Sequence, residues 1–334
     1  METLRQVHAR NLVAWAADKP EVLVLSGDLT GSCEADLFAA AYPGRFFNLG
    51  MTEQNMMGLA GGLAREGFRP FIHTFGVFIY RRPLDQLAMS VAYPNLPVRL
   101  FGFLPGIVTP GGATHQAIDD VAVLRALPNM TVLECGDATD VESVLDVADA
   151  VAGPVYVRLV RGAIPRLFPA DEPMRLGRAR RLSQGDDVLV LTSGIATEEA
   201  MRATSALRAA GVGVEHLHVS TLKPFGDEAV VEALARVRHG VVTMENHTVI
   251  GGLGGAVAEL MAGLGVPRRL VRLGLQDRFG HGGSKPYLMR EYGFDAPALV
   301  AAVEGLLGRR LGIRPEDLGD RAAAADAHAK AEGL

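Results

Sequence analysis

The sequence predicts an α/β protein of two doubly wound domains with mostly parallel sheets. Three observations carry that reading. Short apolar runs at residues 22–25, 70–74, 97–103, 131–135 and 155–160 have strand length and little polar alternation, as strands buried on both faces do. Residues 166–186 are rich in Pro, Arg and Gly and lack any period, which reads as a break between domains. A second series follows, with strands at 187–192, 214–219, 241–245 and 270–273 and helices at 197–210, 227–237 and 253–264. The expected division is a first domain at 1–168, a linker at 169–186, a second domain at 187–312 and an alanine-rich tail at 313–334, ending in a terminal helix from residue 321.

In order, residues 1–17 carry an apolar stripe of Leu4, Val7, Leu12 and Val13, which predicts a helix that Pro20 ends. The strand at 22–25 runs into SGDLTGS. Ligands of open α/β sheets lie just past the carboxyl ends of strands, so Asp28 and Ser32 are well placed, although both are also ordinary turn residues.

The next helix is the most informative. Thr52 is its expected N-cap and Glu53 opens it, followed by Met56, Met57, Leu59, Ala60 and Leu63. Gly58, Gly61 and Gly62 lie inside it, where each costs about 1 kcal/mol relative to Ala. Close approach of another helix backbone would offset that cost. A charged residue opening a glycine-studded apolar helix is a candidate site, or an acid that simply complements the helix dipole.

After the strand at 70–74, Phe75, Phe78 and Arg81 follow at spacings of three, so the two rings share a helix face. Such a pair serves either as core or as a ligand platform. Residues 104–120 form a long loop rich in Gly and Pro, with His115 before a helix start. A helix at 141–152 follows, and Arg161 stands beside a glycine at a strand's carboxyl end, where a phosphate contact is plausible. The GGLGG turn at 251–255 lacks the spacing of a dinucleotide fingerprint.

The formal net charge of -5 argues against nucleic acid or an anionic membrane as the main partner. Cys33 and Cys135 are too few for a disulfide framework. No signal-peptide pattern and no run of roughly 20 apolar residues occurs, so the expected location is cytoplasmic.

Four motifs taken together resemble the transketolase family. They are GMTEQNMMGLAGGLA at 50–64, TFGVF at 74–78, GGATHQ at 111–116 and ENHTVIGGLGGAVAE at 245–259. Over about residues 1–311 the chain resembles the C-terminal subunit of a split bacterial transketolase: a pyrimidine-binding domain and a transketolase C-terminal-like domain. The family's diphosphate-binding domain, with its GDG motif, is not represented. The resemblance therefore implies thiamine diphosphate as cofactor, with Mg2+ held mainly by an N-terminal-type partner subunit. It also implies self-association through the Glu53 helix into a heterotetramer.

Carried over by position, Glu53 is expected to bond the aminopyrimidine ring, and Phe75 and Phe78 to hold it. Arg81 falls near the family's third pocket aromatic, and Asp28 beside the cofactor. His115 is expected at the sugar hydroxyls and the reacting carbonyl, with Arg5, Ser32 and Arg161 on the substrate's distal phosphate. Two features depart from the family. The stretch TPGG at 109–112 lacks the acid that reads the acceptor's C2 hydroxyl, and a second family histidine falls near Gly102 or Phe103. Both departures are on the sugar side. They suit a product with a ketone at that carbon, as a branched-sugar enzyme acting on apulose 4-phosphate would give; a sulfosugar or an ordinary pentose phosphate is the alternative. The other readings are the β subunit of a 2-oxoacid dehydrogenase and a non-catalytic partner subunit. The distal-phosphate set speaks against the first, and Glu53 with its phenylalanines against the second.

Overall fold

The structure, a computed structural model, describes residues 2–321. The first sheet has seven strands in the order Thr221–Lys223, Thr131–Glu134, Val155–Leu159, Arg99–Phe103, Arg69–Phe75, Val22–Ser26 and Phe46–Asn48. All run parallel except Thr221–Lys223, which pairs antiparallel with Thr131–Glu134. Val22–Ser26, Arg99–Phe103 and Val155–Leu159 are buried at every position, because helices cover both faces. From Val22–Ser26 the chain steps outward to Phe46–Asn48, then crosses back to Arg69–Phe75 on the other side. The connections diverge there, so a crevice opens at the carboxyl ends of these strands.

The second sheet has five strands, in the order Leu270–Leu275, Gly240–Thr248, Val188–Thr192, Val214–His218 and Arg180–Ser183. Arg180–Ser183 lies within the stretch read as linker; it pairs antiparallel with Val214–His218. A strand of four residues with mixed burial has no apolar run to reveal it. The two halves interlock, since Thr221–Lys223 leaves the second half to close the edge of the first sheet. Asn246 reinforces this by donating to the Pro105 carbonyl at 2.9 Å and accepting from the Ile107 amide at 3.0 Å.

The expected helix at 1–17 is corrected at both ends. Thr3–Arg5 is a strand, paired antiparallel with Ala163–Pro165, and the helix covers only Val7–Trp15. The apolar stripe at Leu4 and Val7 did not reveal a strand whose partner lies far along the chain. Gln6, at φ 51, turns the chain between the two elements. The helix expected at 141–152 spans Ala138–Asp149 because the Asp137 carboxylate caps it, accepting from the Asp140 amide. Helices Asp36–Ala41, Lys285–Glu291 and Ala296–Leu307 complete the layers and were not anticipated. The start of the expected tail is ordered: Pro315–Leu318 forms a 3-10 turn, and Arg321 Nε donates to Glu199 Oε1 at 2.5 Å. The expected terminal helix from residue 321 lies almost wholly outside the described residues.

Candidate active site

Five predicted residues converge at the carboxyl end of the first sheet. Asp28 follows Val22–Ser26, Glu53 follows Phe46–Asn48, and Phe75 ends Arg69–Phe75. His115 lies in the loop after Arg99–Phe103, and Arg161 follows Val155–Leu159.

Glu53 is 3% exposed at the first turn of Glu53–Arg65. Thr52 occupies the N-cap position but not the expected capping role. Its hydroxyl donates to the Leu49 carbonyl at 2.8 Å instead of accepting from the helix. Glu53 Oε1 accepts from Arg82 at 2.5 Å, and no hydrogen bond among the described residues reaches Oε2. The Arg82 guanidinium also lies 3.9 Å from the centre of the Phe78 ring.

Phe75 and Phe78 stack with centroids 6.0 Å apart. His115 stands edge-on to both, 6.4 Å from Phe75 and 5.5 Å from Phe78, and its Nδ1 is within 2.8 Å of the Thr114 hydroxyl. Arg81 does not join this group. It turns away to Asp119 at 2.5 Å, which also accepts from the Tyr80 hydroxyl. The arginine that lies against the Phe78 ring is Arg82, a residue the sequence did not single out.

Asp28 is exposed, with φ 65, and is braced by Asn48. Its amide donates to Asn48 Oδ1 at 3.1 Å, and Asn48 Nδ2 donates back to its carboxylate at 3.2 Å. The same Asn48 oxygen accepts from the Gly50 amide at 3.1 Å, tying the Asp28 loop to the entry of the Glu53 helix.

The three residues expected at a distal phosphate lie on neighbouring segments. Arg5 stands opposite Ala163 in the small strand pair, two positions from Arg161. Arg161 lies 5.9 Å from the Phe75 ring centre, and its charge acts on Cys33 and Glu34, the residues after Ser32. The correction at the amino end therefore matters to the site, because a strand rather than a helix carries Arg5 toward Arg161. Glu34 was missed; it accepts from the Gly162 amide at 3.0 Å and the Ala9 amide at 3.3 Å. Burial pushes its carboxyl above the usual range, while those amides and Arg161 pull the other way.

The loop at 104–120 is held by the second half of the chain. Gln116 donates to the His281 carbonyl at 3.1 Å, and the Thr248 amide donates to the Ile118 carbonyl at 2.8 Å. Beneath it, fully buried Arg158 donates to Asp120 at 2.8 Å, Glu134 at 2.5 Å and the Asn246 carbonyl at 3.0 Å. Burial disfavours the Arg158 charge, but Asp120 and Glu134 overcome this and hold its pKa up. At Gly102 a Cβ would come within 2.6 Å of the Tyr156 ring, and Phe103 is fully buried. A side chain at Gly102 would collide with Tyr156, and a buried apolar ring occupies position 103, so neither place where the family's second histidine would fall presents a polar group.

The GGLGG turn is filled from within. Glu245 accepts from the Leu253 amide at 2.6 Å and the Gly254 amide at 2.8 Å, so the chain's own carboxylate takes the anion position of Leu253–Leu264. Burial raises the Glu245 pKa to about 7. No cluster of three or more metal-ligating side chains exists among the described residues. No described helix is long and apolar enough to cross a membrane.

Comparison with known proteins agrees with this architecture. The family described as Transketolase, pyrimidine binding domain matches residues 2–166, and Transketolase, C-terminal domain matches residues 177–299. The chain is 38% identical over 308 residues to the 6-deoxy-6-sulfo-D-fructose transketolase subunit SqwH of Clostridium sp., covering 92% of this chain and 95% of that one. It is 35% identical over 303 residues to a transketolase C-terminal section of Methanocaldococcus jannaschii, covering 90% and 95%. A solved structure titled as a split gene transketolase, inactive beta4 tetramer, superposes with a TM-score of 0.82 at 38% identity, covering 91% of this chain and 97% of that one. Matched nearly end to end by split subunits, the chain belongs to the transketolase family and is a transferase subunit.

Proposed function

We propose that this chain is the pyrimidine-binding half of a two-subunit, thiamine-diphosphate-dependent transketolase that moves a two-carbon ketol unit between sugar phosphates. The observation that carries the reading is a buried carboxylate, Glu53, joined through Arg82 to Phe78 of the stacked Phe75–Phe78 pair, with His115 at the ring edges. These residues fit an aminopyrimidine, because a flat nitrogen-bearing cation, the Arg82 guanidinium, already rests against both the carboxylate and a ring. The cofactor supplies the electron sink when bound. Glu53 would share a proton with the far ring nitrogen and so favour the tautomer able to accept the reacting proton, while Phe75 and Phe78 would orient the ring. Asp28 would lie beside the cofactor, and Arg81 supports the pocket wall through Asp119 rather than by ring contact.

On the substrate side, His115 contacts the sugar near the carbonyl, and Arg5, Ser32 and Arg161 hold the distal dianion. The diphosphate and Mg2+ are held by the partner subunit. The Glu53 helix pairs with its twin in a heterotetramer. Gly58 and Gly62 support this, since nothing lies within 4 Å of a Cβ built at either. The domain division proposed is 1–168 and, because Arg180–Ser183 joins the second sheet, 180–312 in place of the expected 187–312.

The missing hydroxyl-reading acid before His115 favours a branched sugar such as apulose 4-phosphate. A second reading, a sulfosugar, is favoured by the sulfofructose relative, because a sulfonate suits the same guanidinium set. Reconstitution with the diphosphate-binding partner tests both: ketol transfer from apulose 4-phosphate supports the first, and transfer only from 6-deoxy-6-sulfofructose supports the second. No transfer from any sugar phosphate or sulfosugar by a folded, cofactor-loaded assembly would overturn the proposal.

A further inference from the structure

Arg82 follows the short helix Gly76–Arg81 and precedes Pro83. Its backbone carbonyl accepts from Gln54 Nε2 at 3.2 Å, so the residue after Glu53 in the opening turn holds Arg82 in place. From there one side chain reaches both features of the slot, the Glu53 carboxylate at 2.5 Å and the Phe78 ring at 3.9 Å. A guanidinium is planar, delocalised and edged with N–H donors. Those are the properties that would let an aminopyrimidine ring use the same acid and the same aromatic.

We infer that Arg82 is an internal stand-in for the cofactor ring. It neutralises Glu53 when the slot is empty, and incoming cofactor must displace it. This rests on the functional reading of Glu53 given above. The physical need is plain: Glu53 is 3% exposed, and a buried carboxylate without a counter-charge is costly. The way out is also visible. The Arg82 side chain is 42% exposed, so its head can swing into water while its backbone stays held by Gln54. Competition of this kind lowers apparent cofactor affinity by the fraction of chains whose slot is closed.

The test is a calorimetric titration of thiamine diphosphate into the reconstituted two-subunit assembly, wild type against Arg82→Met, which keeps the length of the stem but removes the fork. Arg82→Met is expected to bind about fivefold to tenfold more tightly. The gap should narrow as salt rises from about 0.05 M to about 0.5 M, because salt weakens the half-exposed pair in the wild type alone. In a Glu53→Gln background the Arg82 substitution should change affinity much less, since the ion pair is gone and only a neutral hydrogen bond remains. If Arg82→Met fails to fold, Arg82→Lys keeps the charge without the planar fork and should bind with intermediate affinity. Equal or weaker binding by a folded Arg82 variant would overturn the inference while leaving the cofactor reading intact. A folded wild-type assembly that binds no cofactor would overturn both.

Discussion

Glu53 is the residue on which the chemistry turns, and its surroundings explain why an acid is tolerated there. It pairs with the Arg82 guanidinium here, and the proposed function gives it a ring nitrogen as partner when the cofactor is bound. Glu53→Gln keeps the shape and can still accept from Arg82, so the fold should hold while turnover falls about a thousandfold, a loss typical of a positioned acid; steady-state rates alongside circular dichroism check this. Phe78→Ala removes a ring face and should weaken cofactor binding by about 1 kcal/mol, roughly fivefold, read by titration of the reconstituted pair. The carboxylate, the ring pair and His115 were legible because each follows a strand or opens a helix. Arg82 and Asn48 were not. Arg82 matters because Arg69–Phe75 and Phe46–Asn48 bring their following segments together across the sheet, and nothing in the local pattern announces that meeting. Thr52 shows the limit of a cap signature, since the hydroxyl found a loop carbonyl instead.

At the scale of elements, the Glu53 helix separates two uses of glycine. A Cβ at Gly61 would lie 2.5 Å from the Ser90 carbonyl, so this glycine permits contact with Leu87–Ala92 within the same chain. Gly61→Ala should destabilise the chain by about 1–3 kcal/mol through overpacking, despite the better helix propensity of Ala. Gly62→Ala meets open space and should raise the stability of the isolated chain by about 1 kcal/mol. If the twin helix packs there, the same substitution should weaken assembly. Chemical denaturation and light scattering separate the two effects. The parallel strands were readable because burial on both faces makes them continuous apolar runs. Thr3–Arg5 and Arg180–Ser183 were not, being short, half-exposed strands whose identity depends on partners elsewhere in the chain.

For the whole molecule, buried titratable groups in both halves set the response to acid. Burial holds His73 and His247 at a pKa of about 4 and His216 at about 3. Each is neutral in the folded chain but takes up a proton when unfolded below pH about 6.5. Their contribution is present above that pH and is lost as pH falls toward 4, at about 1.4 kcal/mol per pH unit for each group. Glu245 opposes them. Its folded pKa of about 7 is raised, so its contribution is greatest at low pH and is lost as pH rises through 7. Burial also holds His8 well down, and the four histidines outnumber the raised carboxyls Glu245, Glu34 and Asp137, which predicts a net fall in stability from pH 6.5 to 5, measured as a lower urea midpoint. The two-domain layout was legible from the paired strand series, whereas the interlock through Thr221–Lys223 was not, because a three-residue strand leaving its own domain has no sequence period.

The most direct measurement is thiamine diphosphate titration of the reconstituted two-subunit assembly, with ketol-transfer rates taken on the same samples of wild type and Glu53→Gln. The account predicts cofactor binding and turnover by the wild type, poor binding by this chain alone, and a folded Glu53→Gln assembly with its turnover lost. A Glu53→Gln assembly that turns over at a near-normal rate would contradict it.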